Sequence, residues 1–168
     1  MTSFHEDMVE YKKQLKKGVM NRAYKDLMHY IMNLRTHFMN KYPDFYVSGS
    51  IYYGYMDMTY FSFSPPSLKD RQLKIAIVFI HDACQFEVWL AGANKQVQSK
   101  YWEIFKKNRW DKYYLVPTTK DVDSIMEFIV DDNPDFRDLD GLTKKIEEGV
   151  LRFTKDVETF LSNHTTSF

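Results

Sequence analysis

Hydrophobic residues change their spacing twice along the chain, and these changes divide it into three stretches. In the first forty residues they recur every three or four positions, which predicts helices near 4–17 and 20–41 separated by Gly18. From Phe45 to Ala91 the spacing becomes two, as in strands. After Gly92 the helical spacing returns. Helices, then strands, then helices again indicate an α+β fold with segregated layers.

The clearest element of the middle stretch is a predicted antiparallel hairpin of strands 72–81 and 84–91. One register places every strongly apolar position on the same face, and a slip of one residue would move them all to the other face. The core-face pairs are then Phe79 with Phe86, Ile77 with Val88 and Ile75 with Leu90. The pairs of the opposite face are Val78 with Glu87, Ala76 with Trp89 and Lys74 with Ala91.

Two earlier segments, 46–55 and 58–63, are rich in aromatic residues and complete a mainly antiparallel four-stranded sheet. Between this pair and the hairpin, the segment 64–67 contains two prolines. Since proline has no N–H for a ladder, an irregular link is expected there.

The last stretch is expected to hold three helices and one short strand. Asn94 is the predicted cap of a helix that ends near Asn108. Residues 113–116 are a candidate extra strand, and 122–130 is predicted as a short helix capped by Asp121. The final helix is strongly periodic from Leu139 to Leu161, with Asp140 as its expected cap. The prediction is therefore one domain over residues 1–168, with an N-terminal helix pair and C-terminal helices packed on the sheet.

Composition narrows the class of protein. The 23 Lys and Arg balance the 23 Asp and Glu, and the longest strongly apolar run spans 75–80, far below the ~20 residues that cross a bilayer. Cys84 is the single cysteine, which excludes an intramolecular disulfide and favours a reducing compartment. We therefore expect a soluble cytoplasmic protein without a membrane partner.

Specific catalytic and cofactor signatures are missing from the sequence. It contains no glycine-rich phosphate loop, no Gly-x-Ser-x-Gly elbow and no His-Glu-x-x-His pair, and its five histidines are scattered. We accordingly expect no metal site and no cofactor. The aromatic content of 17% is the unusual feature, because tyrosine suits both half-buried sheets and binding surfaces.

Three hypotheses of function remain open. The leading one is a non-catalytic module that binds a small molecule or a protein through a tyrosine-rich sheet region, with Tyr53, Tyr55 and Trp89 as ligand-binding candidates; a homo-oligomer stays open. The first alternative is a small enzyme with an acid–base or metal-assisted site around Asp57, Lys74 and Glu87. The second is nucleic-acid binding through the basic segment 95–112, which the zero net charge disfavours.

Several segments of the chain resemble an uncharacterised bacterial family of single-domain proteins. The resemblance covers nearly the whole length and implies no activity, cofactor or site residue, because the family is named only as a domain of unknown function. The segments that carry it are Leu34-Arg-Thr-His-Phe38, Tyr42-Pro-Asp44, Ser48-Gly-Ser-Ile51, Gly54-Tyr-Met-Asp-Met58, Leu73-Lys-Ile-Ala-Ile77, Phe86-Glu-Val-Trp-Leu90, Lys100-Tyr-Trp102 and Asp135-Phe136 to Leu142.

Overall fold

The computed structural model of the protein describes residues 1–165, which contain five helices and six strands. In chain order, the helices are α1 (Phe4–Lys16), α2 (Val19–Lys41), α3 (Pro66–Asp70), α4 (Lys95–Lys107) and α5 (Leu139–His164). The strands are β1 (Tyr46–Val47), β2 (Met58–Ser64), β3 (Leu73–Ile80), β4 (Gln85–Gly92), β5 (Tyr114–Leu115) and β6 (Met126–Asp131). The chain divides into two compact units, which are Met1–His37 and the residues from Phe38 onward.

The first unit is helical. It holds α1 and most of α2, and Gly18 separates the two helices with a φ of 75°, in the left-handed region that favours glycine. A capping box starts α1, because the Ser3 side chain accepts from the Glu6 N–H while the Glu6 carboxylate accepts from the Ser3 N–H. The predicted helix pair is therefore confirmed as two helices.

The second unit is built on a fully antiparallel sheet with the strand order β1-β2-β3-β4-β6-β5. The predicted hairpin is confirmed pair by pair: Phe79 lies opposite Phe86 and Ile77 opposite Val88. One face of the sheet forms the core together with α5. Its fully buried side chains include Phe61, Phe63, Ile75, Phe86, Leu90 and, from α5, Phe153.

The sheet has six strands in the described residues, so the prediction of four strands is wrong. The predicted helix over 122–130 is the main error, because Met126–Asp131 is a strand that pairs with β4 and β5. A short apolar run suits a buried strand as well as a buried helix, and here the pairing partner decides. Asp121, the expected helix cap, instead has a φ of 57° in a turn.

Three smaller predictions also fail. The strand expected over 46–55 is reduced to β1 and one bridge between Tyr52 and Tyr60, because the four residues 48–51 lie opposite only Phe61 and Ser62 and interrupt the pairing. The irregular link expected over 64–67 is instead the end of β2 followed by α3, with Pro66 in the first turn where its missing N–H costs nothing. The cap of α5 is Asp138, whose side chain accepts from the Gly141 N–H.

Candidate ligand-binding site

The sheet face that points away from α5 carries the candidate site. On this face Tyr60 pairs in register with Val78, Ala76 with Trp89, and Lys74 with Ala91. The small side chains of Ala76 and Ala91 are buried, at 4% and 5% exposure, whereas the larger residues around them are partly exposed. Because small residues alternate with large ones across three neighbouring strands, the face contains a hollow.

This hollow, which we call the sheet cleft, has a volume of about 350 Å³. Ala76 and Ala91 form its floor and aromatic residues form its walls. Its remaining lining is mostly polar and comes from β3, from the start of α4 and from the loop after β5: Lys74, Asn94, Lys95, Gln98 and Asp123. A second depression of about 420 Å³ shares Lys74, Ala93 and Asn94 with the cleft and extends it towards Ser62 and Ser64.

The aromatic walls are held in fixed positions. The rings of Tyr52 and Tyr60 lie 5.0 Å apart at 30°, and the two residues form a backbone bridge. Burial raises the pKa of Tyr60, and the nearby Tyr52 and Asp123 raise it further, so the hydroxyl stays neutral. On the other wall, the Trp89 indole N–H donates to Glu87 Oε2 at 2.6 Å. A flat ligand would therefore meet walls that are already oriented.

Two carboxylates lie beside Trp89 on the same face. Glu87 is 9% exposed and also accepts from the Gln85 amide at 2.6 Å. Glu127, opposite Trp89 on β6, accepts from the Ser124 hydroxyl at 2.6 Å. Burial raises the pKa of Glu127 and the charge of Glu87 adds to this rise, while the Ser124 hydrogen bond opposes it. Glu87 fixes the Trp89 ring through its hydrogen bond to the indole N–H, and neither glutamate lines the cleft itself.

The polar end of the cleft is formed by the first turns of α4. The Asn94 side chain caps the helix by accepting from the Val97 N–H at 2.9 Å, as predicted. One turn on, Gln98 is 3% exposed and its amide nitrogen donates to the carbonyls of Val122 and Ser124, at 2.9 and 3.2 Å. Lys95 also donates to the Val122 carbonyl, at 2.8 Å. The loop after β5 is thereby tied to the helix.

The predicted ligand-binding residues do not lie together in the cleft. Trp89 lines it, whereas Tyr53 and Tyr55 belong to the turn before β2 and are 45% and 91% exposed. The Tyr53 carbonyl accepts from the Thr59 hydroxyl, and the Tyr55 N–H donates to Asp57. The tyrosines that do line the cleft are Tyr52 and Tyr60.

The residues of the enzyme hypothesis are also dispersed. Asp57 precedes Met58, which pairs with Ile80 at the end of β3. Lys74 lies six residues before Ile80 on the same strand, which separates the two positions by about 20 Å at ~3.3 Å per residue. Glu87 pairs with Val78, four residues from Lys74 and about 13 Å away by the same spacing. Hydrogen bonds from the Tyr55 and Met58 N–H groups lower the pKa of Asp57, which is fully exposed. The register does not bring the three groups to one substrate.

The basic residues of 95–112 are distributed around α4 and its C-terminal end. Lys106 lies over the Trp102 ring at 4.4 Å, and Lys112 pairs with Asp156 at 3.1 Å. The Trp102 indole N–H donates to the Val116 carbonyl at 2.7 Å. The Trp102 indole is therefore engaged within the protein, and nucleic-acid binding through this segment stays a prediction.

Gln98 and Asp123 line the cleft but were not predicted from the sequence. Gln98 shares the buried helix face of Tyr101 and Phe105, with the spacing of three and seven residues that marks a core position. A polar residue at such a position is the signal that was available. For Asp123 no local signal exists, because the loop is held at the cleft by the hydrogen bonds that Lys95 and Gln98 donate to the Val122 and Ser124 carbonyls.

Within residues 1–165, no helix is both long and apolar enough to cross a bilayer. The same residues contain no group of three or more His, Cys, Asp or Glu side chains that could hold a metal ion.

Fold and cleft together define an α+β protein with an antiparallel sheet, one face of which packs on helices and the other of which carries an aromatic cleft. Residues 4–161 match the family model described as Domain of unknown function (DUF7000), and the chain belongs to this family. The resemblance noted from the sequence is thereby confirmed, and the function of the family is unknown. No curated protein and no solved structure matches the chain.

Proposed function

We propose that this domain is a binding module that holds a small flat molecule in the sheet cleft. The observation that carries the proposal is the alternation of small floor residues with aromatic walls on adjacent strands. Ala76 and Ala91 leave a hollow of about 350 Å³ between Tyr60 and Trp89. This volume lies within the range of small-molecule sites, which combine apolar walls with a few placed polar groups.

Preorganisation of the walls supports the proposal. Trp89 is held by Glu87, and Tyr60 is held by its bridge to Tyr52. A ligand that enters between them loses little free energy to the ordering of protein side chains. Stacking of a ring on these walls would add to the burial of apolar area, because offset or edge-to-face aromatic pairs contribute about 0.5–1.5 kcal/mol beyond area.

The test reduces the volume of the cleft by enlarging one of its floor residues. Ala76→Leu places a larger side chain in the hollow, and Ala83→Leu, in the exposed β3–β4 turn, is the matched control. A panel of aromatic fragments that includes indole, benzamide and benzoate is screened by ligand-observed NMR against wild type and both variants. Circular dichroism and thermal melting confirm that each variant is folded.

We expect at least one fragment to bind wild type and A83L, and its affinity for A76L to fall by tenfold or more. Equal binding to A76L and wild type would place the site elsewhere and overturn the proposal. The absence of binding by every fragment to folded wild-type protein would also overturn it.

A further inference from the structure

Lys74 is the cation of the cleft that lacks a partner among residues 1–165. It is half-buried on β3, lines both the cleft and the second depression, and has no hydrogen bond or ion pair among residues 1–165. Asp123, the carboxylate of the cleft lining, does not pair with it. An ammonium group taken partly out of water without a counterion is unfavourable, so this position favours a negatively charged group of a ligand.

The start of α4 adds positive potential at the same end of the cleft. Gly92, Ala93 and Asn94 line the cleft next to Lys74, and the helix that follows is 13 residues long. The N–H groups of a first helical turn have no partner within the helix, and the helix dipole favours an anion at that end. Asn94 satisfies the Val97 N–H, and the N–H groups of Lys95 and Gln96 have no hydrogen-bond partner within residues 1–165.

Gln98 supplies an independent indication of a ligand, and of its chemistry. Both amide hydrogens are directed at carbonyls, those of Val122 and Ser124, and this fixes which end of the amide is oxygen. The carbonyl oxygen has no hydrogen-bond partner among the described residues, although Gln98 is only 3% exposed. Trp110 Nε1 is the one fully buried side-chain polar atom without a partner in residues 1–165, so the Gln98 oxygen keeps some accessible surface, and Gln98 is a lining residue of the cleft. It accepts, and therefore favours an N–H or O–H donor on a ligand.

We propose that the ligand of the sheet cleft is an aromatic anion that carries an N–H donor: its negative group pairs with Lys74, its ring lies between Tyr60 and Trp89, and its N–H donates to the Gln98 oxygen. This inference rests on the proposed function, since it names the class of molecule for the same site. Carboxylate and phosphate share the chemistry that Lys74 and the α4 N-terminus recognise.

The test uses four matched indole probes in isothermal titration calorimetry at low ionic strength. Indole-3-acetate is the carboxylate, indol-3-yl phosphate is the phosphate, indole-3-acetamide is the neutral isostere, and 1-methylindole-3-acetate lacks the N–H. Lys74→Met removes the cation, Gln98→Leu removes the acceptor, and Lys107→Met, on the exposed C-terminal turn of α4, is the charge-matched control.

We expect one of the two anions to bind wild type and K107M at least tenfold more tightly than the amide, and K74M to abolish this preference. The tighter of the two anions identifies the negative group. We also expect Q98L to abolish the preference for the N–H probe over its N-methyl analogue.

If wild type binds the anions and the amide equally, or if K74M keeps the anion preference, the proposed ligand class is wrong while the proposed function stands. Equal binding of the N–H and N-methyl probes by wild type overturns the role of Gln98. If neither these probes nor the aromatic fragments of the first panel bind, the proposed function itself fails.

Discussion

Gly149 lies in the middle of α5, where glycine normally destabilises a helix by about 1 kcal/mol relative to alanine. The structure explains why it is there. A Cβ at this position would lie 2.7 Å from Val130 Cγ1 on β6, far inside van der Waals contact. Val130 also sits at an irregularity of the β4–β6 register, which passes from Ile129 to Asp131. The close approach of helix and strand therefore depends on the absence of a side chain.

We expect Gly149→Ala to lower the free energy of unfolding by about 1 kcal/mol. Helix propensity alone would raise it by up to about 1 kcal/mol. Overpacking of a tight contact costs about 1–3 kcal/mol, because the branched Val130 side chain can move away only with the strand or by leaving its rotamer. The clash outweighs the gain.

A double-mutant cycle with Val130→Ala isolates this contact. Val130→Ala alone should destabilise through lost packing, but it also clears the space that the new methyl group needs. In that background Gly149→Ala should stabilise by up to about 1 kcal/mol, which gives a coupling of about 2 kcal/mol. Urea unfolding followed by circular dichroism at 222 nm, with unchanged m-values, provides the four free energies.

Gly49→Ala is the matched control, since a Cβ there meets nothing within 4 Å and the backbone is not in the left-handed region. We expect its effect to stay within about 0.5 kcal/mol. The explanation is refuted if Gly149→Ala changes stability by the same amount in the wild-type and Val130→Ala backgrounds.

Two further predictions concern pH. Burial lowers the pKa of His81, and Asp57 partly offsets this shift. The unfolded chain therefore takes up the proton at a higher pH than the folded protein, and stability should fall as the pH drops below about 6.5. His81→Gln should reduce the dependence of the melting temperature on pH between pH 7 and 5, and an unchanged slope would contradict this. Burial and the hydrogen bond to Asp156 raise the pKa of Tyr113, so its contribution to stability should be lost as the pH rises above about 10, where an unfolded tyrosine ionises. Asp156→Asn should shift one tyrosine to a lower pKa in a titration of absorbance at 295 nm, and superimposable curves would refute the assignment.

The β3–β4 hairpin shows what local pattern alone determines. The sequence predicted that Phe79 lies opposite Phe86 and Ile77 opposite Val88. Side chains alternate with period two, so one register buries every apolar residue, whereas a register shifted by one residue exposes them all. The Asn94 cap of α4 is of the same kind, since it depends on residues three positions apart. The long periodic run of α5 is a third case.

Elements that depend on partners far along the chain were decided by the tertiary structure. Residues 126–131 form a strand because β4 and β5 supply backbone partners on both sides, which the short run itself does not reveal. The sheet cleft is of the same kind. Trp89, the single predicted ligand-binding residue that lines it, meets Tyr60, Gln98 and Asp123 only after three strands, a helix and a loop have packed. Alternation and capping act over a few residues and can be recognised in sequence, whereas a cleft depends on contacts whose sequence separation leaves no local pattern.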